Sequence, residues 1–470
     1  MFELHHLSAL EQLDWLRRGE ITPRELAEHY LARIERLNDE LGAFVTVTAE
    51  RALERADVVA GMPKAATLWG LPLADKDLVA RAGVRTAFGS RLFADNVPEE
   101  SDELAAALDE AGAVSLGKTN TPEFGLPSYT EPVANAPART PYDLERGAGG
   151  SSGGAAVAVA AGLLPLAPGS DGGGSIRIPA ASTGLVGLKP SRGRIPVGAG
   201  FTSLAGLVVP GPLARTVSDA ALLLDALVAA APYQYATAAP TWDGGAFLNA
   251  AVRGEGRFQL GVTTSSPWET AYELEMAPEA RAALEVAAVE LSAMGHGLEE
   301  FSIDPEEGYA PAFRTVWQAG AAGIPVEDDE LDKLEPLTRW LVARGREIGA
   351  RELDEALSWL TGFERRLIGT FAPYDAVLTP SLAMTPRPVG WYDAEDAEAN
   401  FAQQVQFTPF TSMVNVSGLP AITLPVSVTP EGLPMGVQLI GRPGGEHVLL
   451  ALGAQLERRL SWQRRHPPQW

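Results

Sequence analysis

Two glycine-rich stretches, "GAGGSSGG" at 147–154 and "SDGGGS" at 170–175, hold the residues best suited to chemistry in this chain. Neither stretch can pack side chains against a core, and an apolar, Ala-rich run joins them. Glycine lets backbone or ligand approach closely because no Cβ stands in the way. A serine among glycines keeps an exposed, poorly screened hydroxyl. In "DGGGSIRIPA" the N–H groups of Gly172, Gly173, Gly174 and Ser175 lie next to the Ser175 hydroxyl. That combination suits an oxyanion hole beside its nucleophile, as acyl transfer requires. Taken alone, such a stretch is more simply read as a turn.

A serine nucleophile needs a base. The six histidines (His5, His6, His29, His296, His447 and His466) are far from both stretches in sequence, although folding could bring one close. Lysine is the other candidate. The chain strongly prefers Arg: Lys64, Lys76, Lys118, Lys189 and Lys333 are the lysines among 37 basic residues. Arg keeps its proton, whereas a buried Lys can become neutral and accept one. Lys76 sits in "ADKDLV", where apolar sequence meets charge. By itself it is explained as well by pairing with Asp75 or Asp77.

The order Lys76, Ser151, Ser175, with its spacing and flanking residues, resembles the amidase signature family. "GAVSLGKTNTPEFG", "GLVGLKPSRGRIP", "GPLARTVSDAALLLD" and "GLPAITLPVSVTPEGLPMGVQLIGRP" resemble it too, so the likeness spans nearly the whole chain. It implies that Ser175 attacks an amide carbonyl, that Ser151, preceded by a cis peptide bond, relays the proton, and that neutral Lys76 is the base. It further implies support from Ser152, and bracing of the nucleophile loop by Asp171 and Arg177, which are otherwise readable as surface charges. "DGGGSIRIPAS" and "PFTSMVNVSGLPA" are most similar to the branch of 6-aminohexanoate cyclic dimer hydrolases. Two departures stand out. Gly172 replaces the Thr or Ile of many members, and Thr140 replaces the Asn that commonly precedes Pro in "PARTPYD".

The resemblance implies an amidase that cleaves a small or linear carboxamide to carboxylate plus ammonia or amine. The alternatives are the amidase subunit of a tRNA-dependent amidotransferase, which releases ammonia from glutamine, and a catalytically silent binding protein on the same fold. Substrate walls are expected from 123–131 and from around Trp317 and Trp391, with Trp317 equally readable as core.

One motif competes with this reading. "GAVSLGKT" at 112–119 matches the phosphate-loop pattern GxxxxGK[ST]. Such a loop needs a strand before it and a helix directly after. Here a helix precedes it, and Ala-Val-Ser-Leu between the glycines suits a strand. Lys118 is therefore expected at a strand end, with no nucleotide.

The elements that must position these residues alternate. Helices are expected from Ser8, from Thr22-Pro23, from a Ser101 cap, through "AAVAVAAG", from about Val217, over 278–294 and near 447–460. Strands are expected at 43–47, 71–79, 113–116, "FQLGVTT", 298–301, "YDAVLTP" and "PAITLPVSV". This pattern predicts an α/β fold: a large mixed β-sheet covered by helices on both sides. The chain reads as a single domain over 1–470, with a helical lobe inserted at about 300–375.

Composition sets the outer bounds. The chain has 470 residues, 46% of them hydrophobic, enough for a sizeable core. The formal charge of −23 argues against nucleic acid, which needs clustered Lys and Arg. With no cysteine there are no disulfides, thiolate nucleophiles or Cys-based metal sites. The scattered histidines read as solvated. No signal peptide or membrane span is visible. The expectation is a cytoplasmic protein with an amide substrate, no cofactor, no metal, no nucleic acid and no membrane, and with a homodimer left open.

Overall fold

The computed structural model describes residues 3–196, 198, 203–229, 238–240 and 242–470. It is an α/β fold with two hydrogen-bonded sheets. The smaller contains β1 (Phe44–Val47), β2 (Pro72–Lys76) and β3 (Val114–Thr119), ordered β1-β3-β2. The larger contains β4 (Leu166–Asp171), β5 (Val186–Lys189), β6 (Val209–Ala214), β7 (Gln259–Val262), β8 (Gly297–Glu300), β9 (Ala376–Pro380), β10 (Ala421–Val428) and β11 (Pro434–Gly441). Its order is β4-β6-β5-β10-β11-β9-β7-β8. β7 runs parallel to β8 and β9, and the other pairs are antiparallel, so the sheet is mixed as expected.

Local signals explain most boundaries. Ser8 with Glu11 and Thr22 with Glu25 form capping boxes, so the helices Ala9–Arg18 and Pro23–Leu41 start where the sequence places them. The helix Pro278–Ala293 joins parallel strands β7 and β8 as a β-α-β unit. Between β8 and β9 the chain forms the helices Tyr309–Ala321, Pro336–Glu347 and Ala350–Phe371. The end of the run expected as a helix from Val217 lies outside the described residues; the helix is described over Val217–Val228.

Two expectations are corrected. The strand read over 71–79 stops at Lys76, where the chain turns and Val79 N–H bonds back to the Lys76 carbonyl. Ser101 does not cap the next helix. Its Oγ accepts from Ala82 N–H, and Asp102 at the N-cap accepts from Ala80 N–H. Both side chains fasten the turn after Lys76 instead.

The Ala-rich run between the glycine stretches becomes the helix Gly153–Ala160, buried along its whole length. A helix that is apolar on every side belongs in a core, and this one belongs to the same core as Leu71, Leu116 and Leu166. Its small side chains let β2 and β4 approach each other closely enough for Lys76 to reach Ser170.

Candidate active site

Lys76 is the last residue of β2 and is 2% exposed. Its Nζ lies 2.8 Å from Ser151 Oγ, 3.1 Å from Ser170 Oγ and 3.5 Å from the Ser170 carbonyl. Burial pushes its pKa down to about 7, against the opposing pull of the Asp171 carboxylate. The neighbouring carboxylates are engaged elsewhere. Asp75 accepts from Arg81 at 2.6 Å and from Ser115 Oγ at 2.9 Å. Asp77 accepts from Ala87 N–H at 3.1 Å and faces Lys118 at 3.6 Å. Lys118 itself is buried in β3 and donates to Thr86 Oγ1 and to the Val79 carbonyl. The phosphate-loop look-alike is thus a strand with its lysine already used.

Ser151 follows a cis Gly150–Ser151 peptide bond and is 2% exposed. A Cβ on Gly150 would stand 2.6 Å from the Tyr129 carbonyl carbon, so only glycine fits against that backbone. Ser152 links three segments: its N–H donates to the Ser175 carbonyl, and its Oγ donates to the Ser170 carbonyl and accepts from Ser170 N–H. Thr140, the departure noted in the sequence, is buried and donates to the Ser182 carbonyl at 2.9 Å.

The Ser175 loop is built around a fully buried ion pair. Arg177 donates through Nε and Nη2 to the two oxygens of Asp171, both at 2.9 Å. The remaining Arg177 donors reach the Thr411 carbonyl, Gln438 Oε1 and Asn415 Oδ1. Asp171 in turn accepts from Gly174 N–H at 2.7 Å and Ile176 N–H at 3.1 Å. Burial pushes its carboxyl up, but Arg177 overrides that and holds it well below the usual range. Asp171 and Arg177 are therefore not surface charges. Gly174 has φ +135°, and a Cβ there would meet Thr411 Oγ1 at 2.5 Å. Its N–H is committed to Asp171, which corrects the four-donor oxyanion hole: Gly172, Gly173 and Ser175 are left as candidate donors.

Arg177→Met is expected to cost about 3–5 kcal/mol, because it strands the buried Asp171 charge. Arg177→Lys should not rescue it, since one ammonium cannot reproduce the planar fork. Urea unfolding measures both; a loss under about 1 kcal/mol in either variant would contradict the brace.

Ser175, 8% exposed, opens onto a cleft also lined by Ser151, Ser170 and Gly172. Phe124, Gly125, Leu126 and Trp317 line it as the sequence suggests, but Glu123 turns away to accept from Ser90 Oγ. Trp391 packs against Tyr392 and beneath Arg387 and is not among the described lining residues. Sequence reading missed Ser170, although alternation along β4 places it on the face opposite Asp171. It also missed Thr411, Asn415 and Gln438, where the only signal was a set of polar residues in apolar segments. The histidines are not uniformly solvated: His5 and His296 are 2% and 5% exposed, and His5 Nδ1 lies 3.1 Å from His29 Nε2. Among the described residues no group of three or more His, Asp or Glu side chains is arranged to hold a metal ion. No helix among them is long and apolar enough to cross a membrane.

The family model described as Amidase matches residues 25–450. The chain belongs to the amidase family. It is 37% identical over 479 residues to the "Putative amidase AmiB2" of Mycobacterium tuberculosis, covering 99% of this chain and 98% of that one. It is 36% identical to a glutamyl-tRNA(Gln) amidotransferase subunit of Moorella thermoacetica, covering 99% of each. A solved structure of 6-aminohexanoate cyclic dimer hydrolase complexed with substrate superposes with a TM-score of 0.89 at 30% identity, covering 99% of this chain and 100% of that one. The amidase signature fold and the assignment as a hydrolase of carbon–nitrogen bonds rest on these likenesses together.

Proposed function

We propose that this amidase hydrolyses a neutral, small or linear carboxamide through an acyl-enzyme on Ser175. The observation that carries the reading is the 2.8 Å approach of Lys76 Nζ to Ser151 Oγ beside a cleft that Ser151 shares with Ser175. Neutral Lys76 takes the Ser151 proton as Ser151 takes that of Ser175. The Ser175 Oγ–carbon bond forms, and the carbonyl oxygen becomes an oxyanion held by the N–H groups of Gly172, Gly173 and Ser175. Carbon–nitrogen cleavage follows, with Ser151 returning the proton to the departing nitrogen. Water then attacks the acyl-enzyme by the same relay and releases the carboxylate.

The amidotransferase relative motivates a second reading, glutamine as substrate. Glutamine carries an ammonium and a carboxylate beside its amide, and both would need charged partners in a closed site. The described lining of the cleft contains no charged side chain. The cleft thus favours an uncharged amide.

The test is a set of amides and esters incubated with the purified chain alone, followed by mass spectrometry of the protein. A Ser175-linked acyl group and release of the amine are expected from uncharged amides. Turnover of glutamine in preference to every uncharged amide, or no acyl adduct from any of them, would overturn the reading.

A further inference from the structure

Ser175 does not face a single chamber. A second cavity also takes Ser175 into its lining, and the two share Leu126, Ser175 and Trp317. Trp317 stands as the divider on the helix Tyr309–Ala321, stacked on Phe313 at 5.6 Å. An amide with only hydrogens on nitrogen would leave one of the two cavities without an occupant.

The first chamber has Ser151 and Ser170 on its floor and Leu78, Leu207, Val316 and Ile324 on its walls. Gly172 gives it depth, because a Cβ there would stand 2.9 Å from Val208 Cγ2 and 3.5 Å from the Trp317 ring. The second chamber is walled by Ile178, Trp268, Phe313, Phe401 and Val405. Several of its polar groups are paired: Trp268 Nε1 donates to Ser412 Oγ, which also pairs with Tyr309 OH. Gln404 accepts from Ser128 N–H and donates to Asn400 Oδ1. What the second chamber offers a ligand is therefore chiefly apolar and aromatic surface.

We infer that the substrate is a secondary amide with an apolar group on each side, its amine substituent in the first chamber and its acyl group in the second, parted by Trp317. The inference rests on the relay proposed above, in which Ser151 returns a proton to the departing nitrogen. Ser151 lines the first chamber and not the second, so the nitrogen and its substituent lie on that side. The acyl carbon is bonded to Ser175 Oγ, and the direction left for its chain is the second chamber.

N-benzyl and N-methyl amides of the same straight-chain acid test the assignment, with an Ile324 variant separating pocket contact from the lower basicity of benzylamine. The N-benzyl amide is expected to have a kcat/KM at least about tenfold higher, the scale on which apolar pockets discriminate. Ile324→Trp fills the first chamber and should reduce that preference to about twofold or less. Its effect should fall on acylation rather than on hydrolysis of the acyl-enzyme, which no longer contains the amine. If Ile324→Trp does not fold, Ile324→Ala widens the same wall and should favour a naphthylmethyl over a benzyl substituent.

Equal rates for the two amides would overturn the inference while leaving amide hydrolysis standing. So would an Ile324 variant that changed acyl-length preference instead of amine preference. Failure to cleave any amide would remove the proposed function and the inference with it.

Discussion

Ser175→Ala is expected to lower kcat on every amide substrate by about 10,000-fold or more, since nucleophile and base act as a unit. The covalent route cannot start without the hydroxyl. What survives is the oxyanion hole, made of backbone N–H groups that alanine retains. The fold should survive too, because the loop is held through its backbone: Ser152 N–H donates to the Ser175 carbonyl, and Gly174 and Ile176 N–H donate to Asp171. Thermal unfolding should therefore resemble that of the parent. Adding Lys76→Ala to Ser175→Ala should cost little more, since the base has nothing left to activate. Activity above about 1% in a clean Ser175→Ala preparation would mean that another group is the nucleophile. A double variant far worse than the single would mean that Lys76 does something unconnected with Ser175.

The parts of this site legible in sequence were those where local composition conflicts with packing. Glycine-serine stretches in an otherwise apolar chain and a lysine in an Arg-rich chain each had a plain structural reading alone, and their order and spacing together carried the catalytic one. The phosphate-loop look-alike was read as a strand preceded by a helix, and β3 after the helix Glu103–Glu110 bears that reading out. The parts that were not legible depend on long-range topology. The Thr411, Gln438 and Asn415 partners of Arg177 lie 234, 261 and 238 residues away. No local pattern announces them. Trp391 was read as a substrate wall from its place outside the segments that resemble the family, and the fold packs it against Tyr392 and Arg387 instead. The loss of the Gly174 donor is different, because Asp171 stands three residues before it, a spacing at which a carboxylate commonly accepts a backbone N–H. The separation of β1–β3 into their own hydrogen-bonded sheet is a matter of register. Strand alternation identifies faces and does not identify partners.

Lys76 should set the acid limb of the pH profile. Burial lowers its pKa to about 7, with the Asp171 carboxylate pulling the other way. The base must be neutral to accept a proton, so activity should rise with pH as the ammonium is lost. With a midpoint near 7, about one molecule in ten is competent at pH 6 and about nine in ten at pH 8. The plateau should then extend into alkaline solution. A carboxylate base would give a plateau already reached near pH 6. Lys76→Ala is expected to lose about 1,000-fold or more in kcat, the scale on which a positioned general base contributes. Lys76→Arg keeps the positive charge and much of the length, yet it should be comparably impaired, because guanidinium does not release its proton in this range. That comparison separates the two roles a buried cation could have here. If Lys76 only held Ser151 and Ser170 in place or offset Asp171, Arg would substitute tolerably and the acid limb near pH 7 would persist. If Lys76 carries the proton, Arg fails and no choice of pH restores it. A Lys76→Arg enzyme with near-normal turnover would therefore leave Lys76 as electrostatic support and require another base within reach of Ser151.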